Sequence, residues 1–399
     1  MKKIISLLIA VLMLCTLSIS AFAEENAPTA YNAVGDGTSE NPWQISTLAQ
    51  LENLADVVKG GNSMEGKYIV LTVDVEGFTK TIGYKDGSMS YYDKPFKGHF
   101  DGKGHTVTLN INMSGAYYVG LFGYIGSGSA VCNLNTAGSV KGKSSTGSIC
   151  GVNYGTIYNC SNSATVEGNS SIGGICGENC GTIFNCCNTG NITVEYGVGG
   201  ICYSNKSGAT MSNCYNCGKI VAEDQDYTGG ICCASSGKIS NCYYNKTEIK
   251  DNGKGTGLPT AQMKAAAGTK PYLVYLHEMQ EDDWTEINGA KKPLVDLLND
   301  YLVENPTADA YVWDVTEGEY PHLVSIEANE EEEQAQEQSG LTEGDNLNTG
   351  SAISEGNLTL IVGIAAAVVF GLGGFFLGTK KKKPATANGA SVENKDDEE

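Results

Sequence analysis

The chain has 399 residues, a formal charge of −20 at pH 7, and 26 cations that are all lysine. An acidic chain without arginine is ill suited to nucleic acid, whose phosphates and base edges are read largely by cationic side chains. It also lacks the guanidinium fork that clamps phosphate or carboxylate, and its 51 glycines follow no G-x-y period, which excludes collagen.

Residues 1–23 read as a secretory signal. Lys2 and Lys3 precede the apolar run Ile4 to Ile19, and Ala21-Phe22-Ala23 forms a small-residue cleavage site. Residues 24–118 read as an N-terminal cap and first strands. Thr47 and Gln50 make a capping box, and Leu48, Leu51, Leu54 and Val58 lie on one helical stripe ending at Gly60-Gly61. Lys67 to Val75 and Thr106 to Ile111 alternate as strands do.

Residues 119–250 are a repeat. Gly147-Ser148-Ile149-Cys150-Gly151 recurs as Gly173-Gly174-Ile175-Cys176-Gly177, Gly199-Gly200-Ile201-Cys202 and Gly229-Gly230-Ile231-Cys232. Each copy is trailed by a second cluster ending in Asn159-Cys160, Asn185-Cys186, Asn213-Cys214 or Asn241-Cys242. The first cysteines are 26, 26 and 30 residues apart, and the second 26, 28 and 28. A degenerate earlier copy stands at Gly120-Leu121-Phe122-Gly123 and Val131-Cys132-Asn133-Leu134. Short β-rich runs at this period match one coil of a solenoid, which buries an apolar face only by stacking on its neighbours. The expected fold is all-β: a parallel β-helix or β-solenoid with a helix-bearing N-terminal cap, a small α+β C-terminal cap and one transmembrane helix beyond. Asn159, Asn185, Asn213 and Asn241 suit a corner ladder of stacked amides, because Asn tolerates left-handed backbone angles. The Gly pairs are expected to supply turns.

The motifs G-G-I-C-G and G-x-I-x-N-C resemble the GLUG repeat of secreted and surface-displayed bacterial proteins. Gly35 to Leu54 is similar to the helix-bearing opening cap of such proteins, and Phe96 to His105 to the lead into their first coil. Trp313 through Tyr320-Pro321-His322-Leu323 is similar to their closing segment, so the resemblance runs from about 34 to 324. It implies surface display and adhesion or ligand binding, with no particular reaction. Some such repeats accompany IgA-cleaving metallopeptidases, but His277-Glu278 is not followed by the second His of an H-E-x-x-H zinc site.

Residues 251–326 read as the closing cap, with a short amphipathic helix from Leu294 to Leu302. Residues 327–357 hold nine acids and no lysine, which suits a solvated, disordered stalk. Residues 358–378 are apolar without a charge and long enough to span a bilayer. Lys380 to Lys383 then place the tail, 379–399, in the cytoplasm and the ectodomain at the cell surface. A competing reading is a sorting signal at Leu347-Asn348-Thr349-Gly350, which lacks the proline of the usual sortase pattern.

Thirteen cysteines follow the cleavage site. Because Phe122 and Leu134 stand where later copies carry Cys, two columns read as small buried hydrophobes. They are Cys150, Cys176, Cys202 and Cys232, and Cys160, Cys186, Cys214 and Cys242. Export leaves disulfides open as an alternative. The cluster Cys176, Cys180, Cys186 and Cys187 matches no familiar zinc spacing. His99 and His105 read as turn residues, and Asp224 with Asp226 is too small a set for Ca²⁺. No metal or cofactor is expected.

The leading expectation is a membrane-anchored surface protein that binds an extracellular glycan or protein without catalysis. Its candidate binding aromatics are Tyr154, Tyr158, Tyr203, Tyr215 and Tyr243, within a wider set that includes Tyr91, Tyr92, Tyr117, Tyr118 and Tyr244. A carbohydrate-active β-helix enzyme is the alternative, but the coils hold no arginine and no recurrent acid pair. A purely structural spacer is the third reading.

Overall fold

The computed structural model describes residues 34–325, apart from 86–92, 250–253, 266, 269–283, 289, 306–310 and 317. The signal segment, stalk, apolar segment 358–378, tail, Tyr91 and Tyr92 lie outside the described residues. Among the described residues no helix is long and apolar enough to cross a membrane.

The described chain is a parallel β-solenoid of about seven turns. One interior column shows the winding. Ile69, Phe100, Val131, Ile157, Ile183, Met211 and Ile239 pair in register from coil to coil. All are fully buried except Ile239, which packs against them. A second face is a five-stranded parallel sheet: Phe122–Ile125, Cys150–Asn153, Cys176–Asn179, Cys202–Asn205 and Cys232–Ser235. The third side carries longer strands, Thr165–Gly173 on Ile192–Gly199, held over six paired positions. Parallel in-register stacking lets every coil present the same residue types inward, so the core runs unbroken along the axis.

Helix α1 (Leu48–Lys59) opens the solenoid. The Thr47 hydroxyl accepts from the Gln50 amide at 3.3 Å, and the Gln50 side chain accepts from the Ser46 amide at 2.8 Å. The first bond satisfies a donor that the helix start leaves open, and the second ties down the residue before the cap. Leu51, Leu54, Ala55 and Val58 are buried against the first coil, and Gly61 turns the chain out at φ +107°. A helix over the first rung denies other strands an edge to pair with.

The corner is held by a ladder of amides. Asn133, Asn159, Asn185, Asn213 and Asn241 all sit in the left-handed region, with φ between 49° and 53°. Each side-chain amide donates to the one before it: Asn159 to Asn133 at 3.0 Å, Asn185 to Asn159 at 2.7 Å, Asn213 to Asn185 at 2.8 Å and Asn241 to Asn213 at 2.6 Å. Asn133 donates in turn to the Asp101 carboxylate at 3.0 Å, so an anion receives the ladder's last donor.

Two further ladders run in the opposite sense. Asn153 donates to Asn179 and Asn179 to Asn205, each at 2.9 Å, and Asn162 donates to Asn188 and Asn188 to Asn216, each at 2.7 Å. Their direction is set locally: the Asn162 oxygen takes the Ala164 amide at 2.8 Å and the Asn153 oxygen the Gly155 amide at 3.0 Å. That leaves the amide NH₂ to face the next coil.

The Gly pairs differ from expectation. They do not supply left-handed turns, which fall to the asparagines; they allow backbones to touch. A Cβ on Gly173 would lie 2.0 Å from the Cys176 carbonyl oxygen, one on Gly199 1.9 Å from that of Cys202, and one on Gly174 2.3 Å from the Asn188 amide carbon. No side chain fits there.

The closing segment also differs, because it folds back along a flank. It comprises α2 (Thr260–Lys264), α3 (Leu294–Glu304) and a hairpin of Tyr311–Asp314 with His322–Ser325. Leu294, Leu298, Trp313 and Val315 form a second core with Cys187, Tyr215 and Tyr243 of the coils. The Trp313 indole donates to the Asn185 oxygen at 2.6 Å, and the Tyr215 hydroxyl donates to the Pro321 carbonyl. Asn299 braces Trp313 through both backbone groups, at 2.8 and 2.9 Å.

Asn185 therefore carries three side-chain bonds at once. Asn185→Leu would leave buried partners unpaired, each costing about 1–3 kcal/mol, and would strain a left-handed position by about 1–2 kcal/mol. We expect a loss of about 3–5 kcal/mol and a melting temperature lower by roughly 10 °C. Asn185→Gly, which accepts the backbone angle, should lose less. An unchanged melt by circular dichroism would remove the ladder from the account of stability.

Candidate functional site

With one flank closed by the C-terminal segment, the aromatic residues separate into buried and accessible sets. Tyr215 and Tyr243 are buried at 0 and 2 % exposure, which removes them as binding aromatics. The physical cause is α3 and Trp313, which stack over that flank; Tyr215 meets the Trp313 ring edge-on at 5.4 Å. Tyr244 is buried as well. Tyr158 is half-buried, in register with Phe184, whose ring faces Tyr301 of α3 at 6.3 Å. It stands apart from the remaining two candidates.

Tyr154 and Tyr203 lie on the other side, over the five-stranded sheet, where Tyr118 and Tyr124 join them. Their gathering follows from the coil geometry. Tyr124, Val152 and Glu178 share one register column, with Val152 on the strand between the ring and the carboxylate. Tyr118 takes φ 56°, a left-handed position shared with Ser145 at 51°, Ser171 at 59° and Gly197 at 77° on successive coils. Tyr154 follows Asn153 at the adjoining corner and stands 38 % exposed.

A loop then lays a cation onto these rings. Tyr84 and Lys94 bridge in antiparallel fashion, which brings Lys85 and Asp93 together. The Lys85 ammonium lies 5.0 Å from the Tyr124 ring centre, 5.7 Å from Tyr118 and 5.8 Å from Tyr154. These distances fall within cation–π range. Asp93 holds the same ammonium at 3.2 Å, with both side chains mostly buried. Burial opposes the Lys85 charge, but the hydrogen bond and charge of Asp93 outweigh it and the pKa is raised.

The second charged pair is Glu178 and Lys206, 3.4 Å apart. The Ser145 hydroxyl donates to the other Glu178 oxygen at 2.8 Å. Tyr203 lies within the fields of Glu178 and Lys206. Burial is the first cause of the raised pKa of Tyr118, Tyr124, Tyr154 and Tyr203, so all four are neutral phenols at physiological pH. Burial likewise raises the Cys180 thiol, which is thereby no thiolate nucleophile. The face offers ring surfaces, hydroxyl donors and two mutually neutralised ion pairs.

The two predicted cysteine columns lie elsewhere, in the interior. All eight residues belong to the main core, at 0 to 2 % exposure. Most of their thiols donate to a carbonyl two residues away: Cys150 to Val152 at 2.9 Å, Cys176 to Glu178 and Cys232 to Ala234 at 3.1 Å. In the second column Cys160, Cys186 and Cys214 donate to residues 158, 184 and 212, each at 3.1 Å. Cys thus adds a weak donor that Phe122 and Leu134 in the first copy do not have. Among the described residues no group of three His, Cys, Asp or Glu side chains is placed to hold a metal ion.

Lys85, Asp93 and Tyr124 were not among the sequence candidates. Tyr124 could have been found by extending the repeat alignment one strand further, since it shares a register position with Glu178. Lys85 could not, because no repeat copy contains its loop.

Two known proteins are similar to part of this chain. A stretch of 140 residues, 34 % of the chain, is 33 % identical to a protein of Evansella cellulosilytica described as a Gly-rich membrane protein. A stretch of 143 residues, 33 % of the chain, is 33 % identical to halomucin of Haloquadratum walsbyi. The matches cover 16 % and 2 % of those proteins, so the chain spans a small part of either. No family model and no solved structure matches the chain.

Burial also makes a prediction about alkaline stability. It pushes the Cys187 thiol from an ordinary 9.0 up to about 12, and the Tyr154 phenol from 10.0 up to about 12. Both folded values lie above the unfolded ones, so the folded chain keeps protons that the unfolded chain releases. The associated stability is complete below pH ~9 and is lost as pH climbs from there towards ~12. The melting temperature should be nearly flat between pH ~6 and ~8.5 and fall from pH ~9 upward. A melt still flat at pH ~11 would contradict it.

Proposed function

We propose that this chain is a membrane-anchored surface protein whose β-solenoid binds an extracellular glycan, without catalysis, across the face of Tyr118, Tyr124, Tyr154 and Tyr203. The observation that carries this reading is the set of three rings, Tyr118, Tyr124 and the accessible Tyr154, gathered around the Lys85 ammonium. Aromatic rings with polar tips suit the apolar faces and hydroxyls of sugars. The pairing of Lys85 with Asp93 and Lys206 with Glu178 leaves little net charge for an ionic ligand. Each of those two carboxylates is already tied to a lysine, which also argues against the uncommitted acid pair that glycoside hydrolysis requires.

Surface display rests on the signal-like start, the acidic stretch and the apolar segment before the lysine cluster. Two partial relatives, described as a Gly-rich membrane protein and halomucin, agree with that placement. So does the fold, since a solenoid presents one extended surface along many coils. The GLUG-like motifs point the same way.

Cells displaying the full chain should bind members of an array of glycans and proteins, and protease shaving of those cells should abolish the signal. Tyr154→Ala should weaken binding about tenfold, equivalent to roughly 1.4 kcal/mol, while lowering the melting temperature by no more than about 3 °C. Cleavage of an arrayed polysaccharide, or binding indifferent to Tyr154→Ala, would overturn the proposal.

A further inference from the structure

We propose that the two interior cysteine columns are disulfide sites that staple neighbouring coils. The pairs are Cys150–Cys176 and Cys202–Cys232 in one column, and Cys160–Cys186 and Cys214–Cys242 in the other. The inference rests on export of the chain, because only an oxidising compartment retains such bonds.

Register carries the argument. Cys150, Cys176, Cys202 and Cys232 are direct partners on successive parallel strands, as are Cys214 and Cys242. Adjacent strands lie about 4.7–4.9 Å apart, inside the range of about 4.4–6.8 Å between the Cα atoms of a disulfide. Cys202 and Cys232 already touch, sulfur to sulfur, at 3.8 Å. In the other column Cys214 and Cys242 share a register position, and Cys160 and Cys186 lie between the paired positions Tyr158–Phe184 and Ser161–Cys187.

The neighbouring glycines keep the coils pressed together at this level. A Cβ on Gly147 would lie 2.6 Å from the Cys176 Cα, one on Gly173 2.7 Å from that of Cys202, and one on Gly199 2.9 Å from that of Cys232. Four thiols in a file can form two bridges only by pairing from the ends. A central bridge between Cys176 and Cys202 would strand the outer two. The 3.8 Å contact selects the same phase.

Each bridge forms when two thiols lose two protons and two electrons. The oxidant is the disulfide of an extracytoplasmic thiol–disulfide exchange protein, which leaves as a dithiol. One chain thiolate attacks that disulfide, and the second displaces the catalyst from the mixed disulfide. The finished interior excludes such a partner, since the eight sulfurs are buried at 0 to 2 % exposure. Burial also holds Cys160, Cys176, Cys202 and Cys214 well above the ordinary thiol range. Exchange therefore belongs to the stage when coils are stacking, before the core closes. Cys132, Cys180, Cys187, Cys217 and Cys233 are outside the scheme, which accounts for an odd total.

The test uses the full chain in detergent. It is unfolded and reduced, refolded in a mixture of reduced and oxidised glutathione, trapped with iodoacetamide and mapped by peptide mass spectrometry. We expect the four named bridges and a melting temperature about 10 °C above that of the same protein held in dithiothreitol. Cys202→Val should abolish the 202–232 bridge and leave the other three. A refolded chain with every cysteine alkylated, or with bridges between residues that do not stack, would overturn the proposal. Protein trapped directly from cells should carry the same bridges. If refolding yields them and cells do not, the pairing stands and the export reading fails.

Discussion

A left-handed asparagine stacked on a left-handed asparagine is the constraint on which the rest of this solenoid depends. Each coil must turn a sharp corner at φ near 50°, and Asn pays little for that angle while its side chain reaches the next coil. Because the amide both donates and accepts, a column of identical residues satisfies itself without water. A hydrogen bond of this kind contributes about 1 kcal/mol net, but an interrupted one costs more. A coil slipped by one residue would leave several amides buried and unpaired, so the ladder fixes register as well as stability. From that register follow the stacked Ile column, the cysteine files and the column of Tyr124, Val152 and Glu178.

Both ends of the ladder are closed by side chains other than asparagine. Asp101 takes the final donor at one end, and Tyr243 donates to the Asn241 oxygen at 2.6 Å at the other. Trp313 reaches a middle rung from 128 residues away in sequence. The C-terminal segment is thereby keyed to the ladder, and its seating decides which side of the solenoid remains accessible. The two ladders of opposite sense, through Asn153 and Asn162, also keep the amide dipoles from all adding in one direction.

The repeat was legible because it is written twice per coil, in G-G-I-C and in I-x-N-C, and the Asn column could be named from it. The other two Asn columns hold three asparagines each, against five in the corner column, and lie outside those motifs. What they share is an Asx-type bond to the amide two residues on, a signal too short to separate from ordinary turns. The role of the glycines was misread for a related reason. Composition reveals a residue without a side chain but not whether that residue bends or lets a neighbour approach, and here approach is what the geometry requires. Tyr215 and Tyr243 were misplaced because strand parity cannot foresee a cover arriving from 106 residues downstream. Lys85 was invisible since its loop belongs to no repeat.

The absence of arginine has a structural meaning at the candidate site that net charge does not. The chain carries −20 overall, yet the two cations of the Tyr face are balanced by Asp93 and Glu178. A guanidinium in place of Lys85 would lie flat on one ring and present a directional fork to a carboxylate. An ammonium is a compact charge that several ring faces can share, and three of them do so at 5.0 to 5.8 Å. Lysine therefore gathers Tyr118, Tyr124 and Tyr154 into one patch without committing the patch to an anionic partner. Because paired charges exert little field at a distance, encounter with a ligand would gain little from steering and depend on contact chemistry. A long, rigid, nearly neutral face is suited to such contact, since the coils hold their spacing whether or not anything is bound.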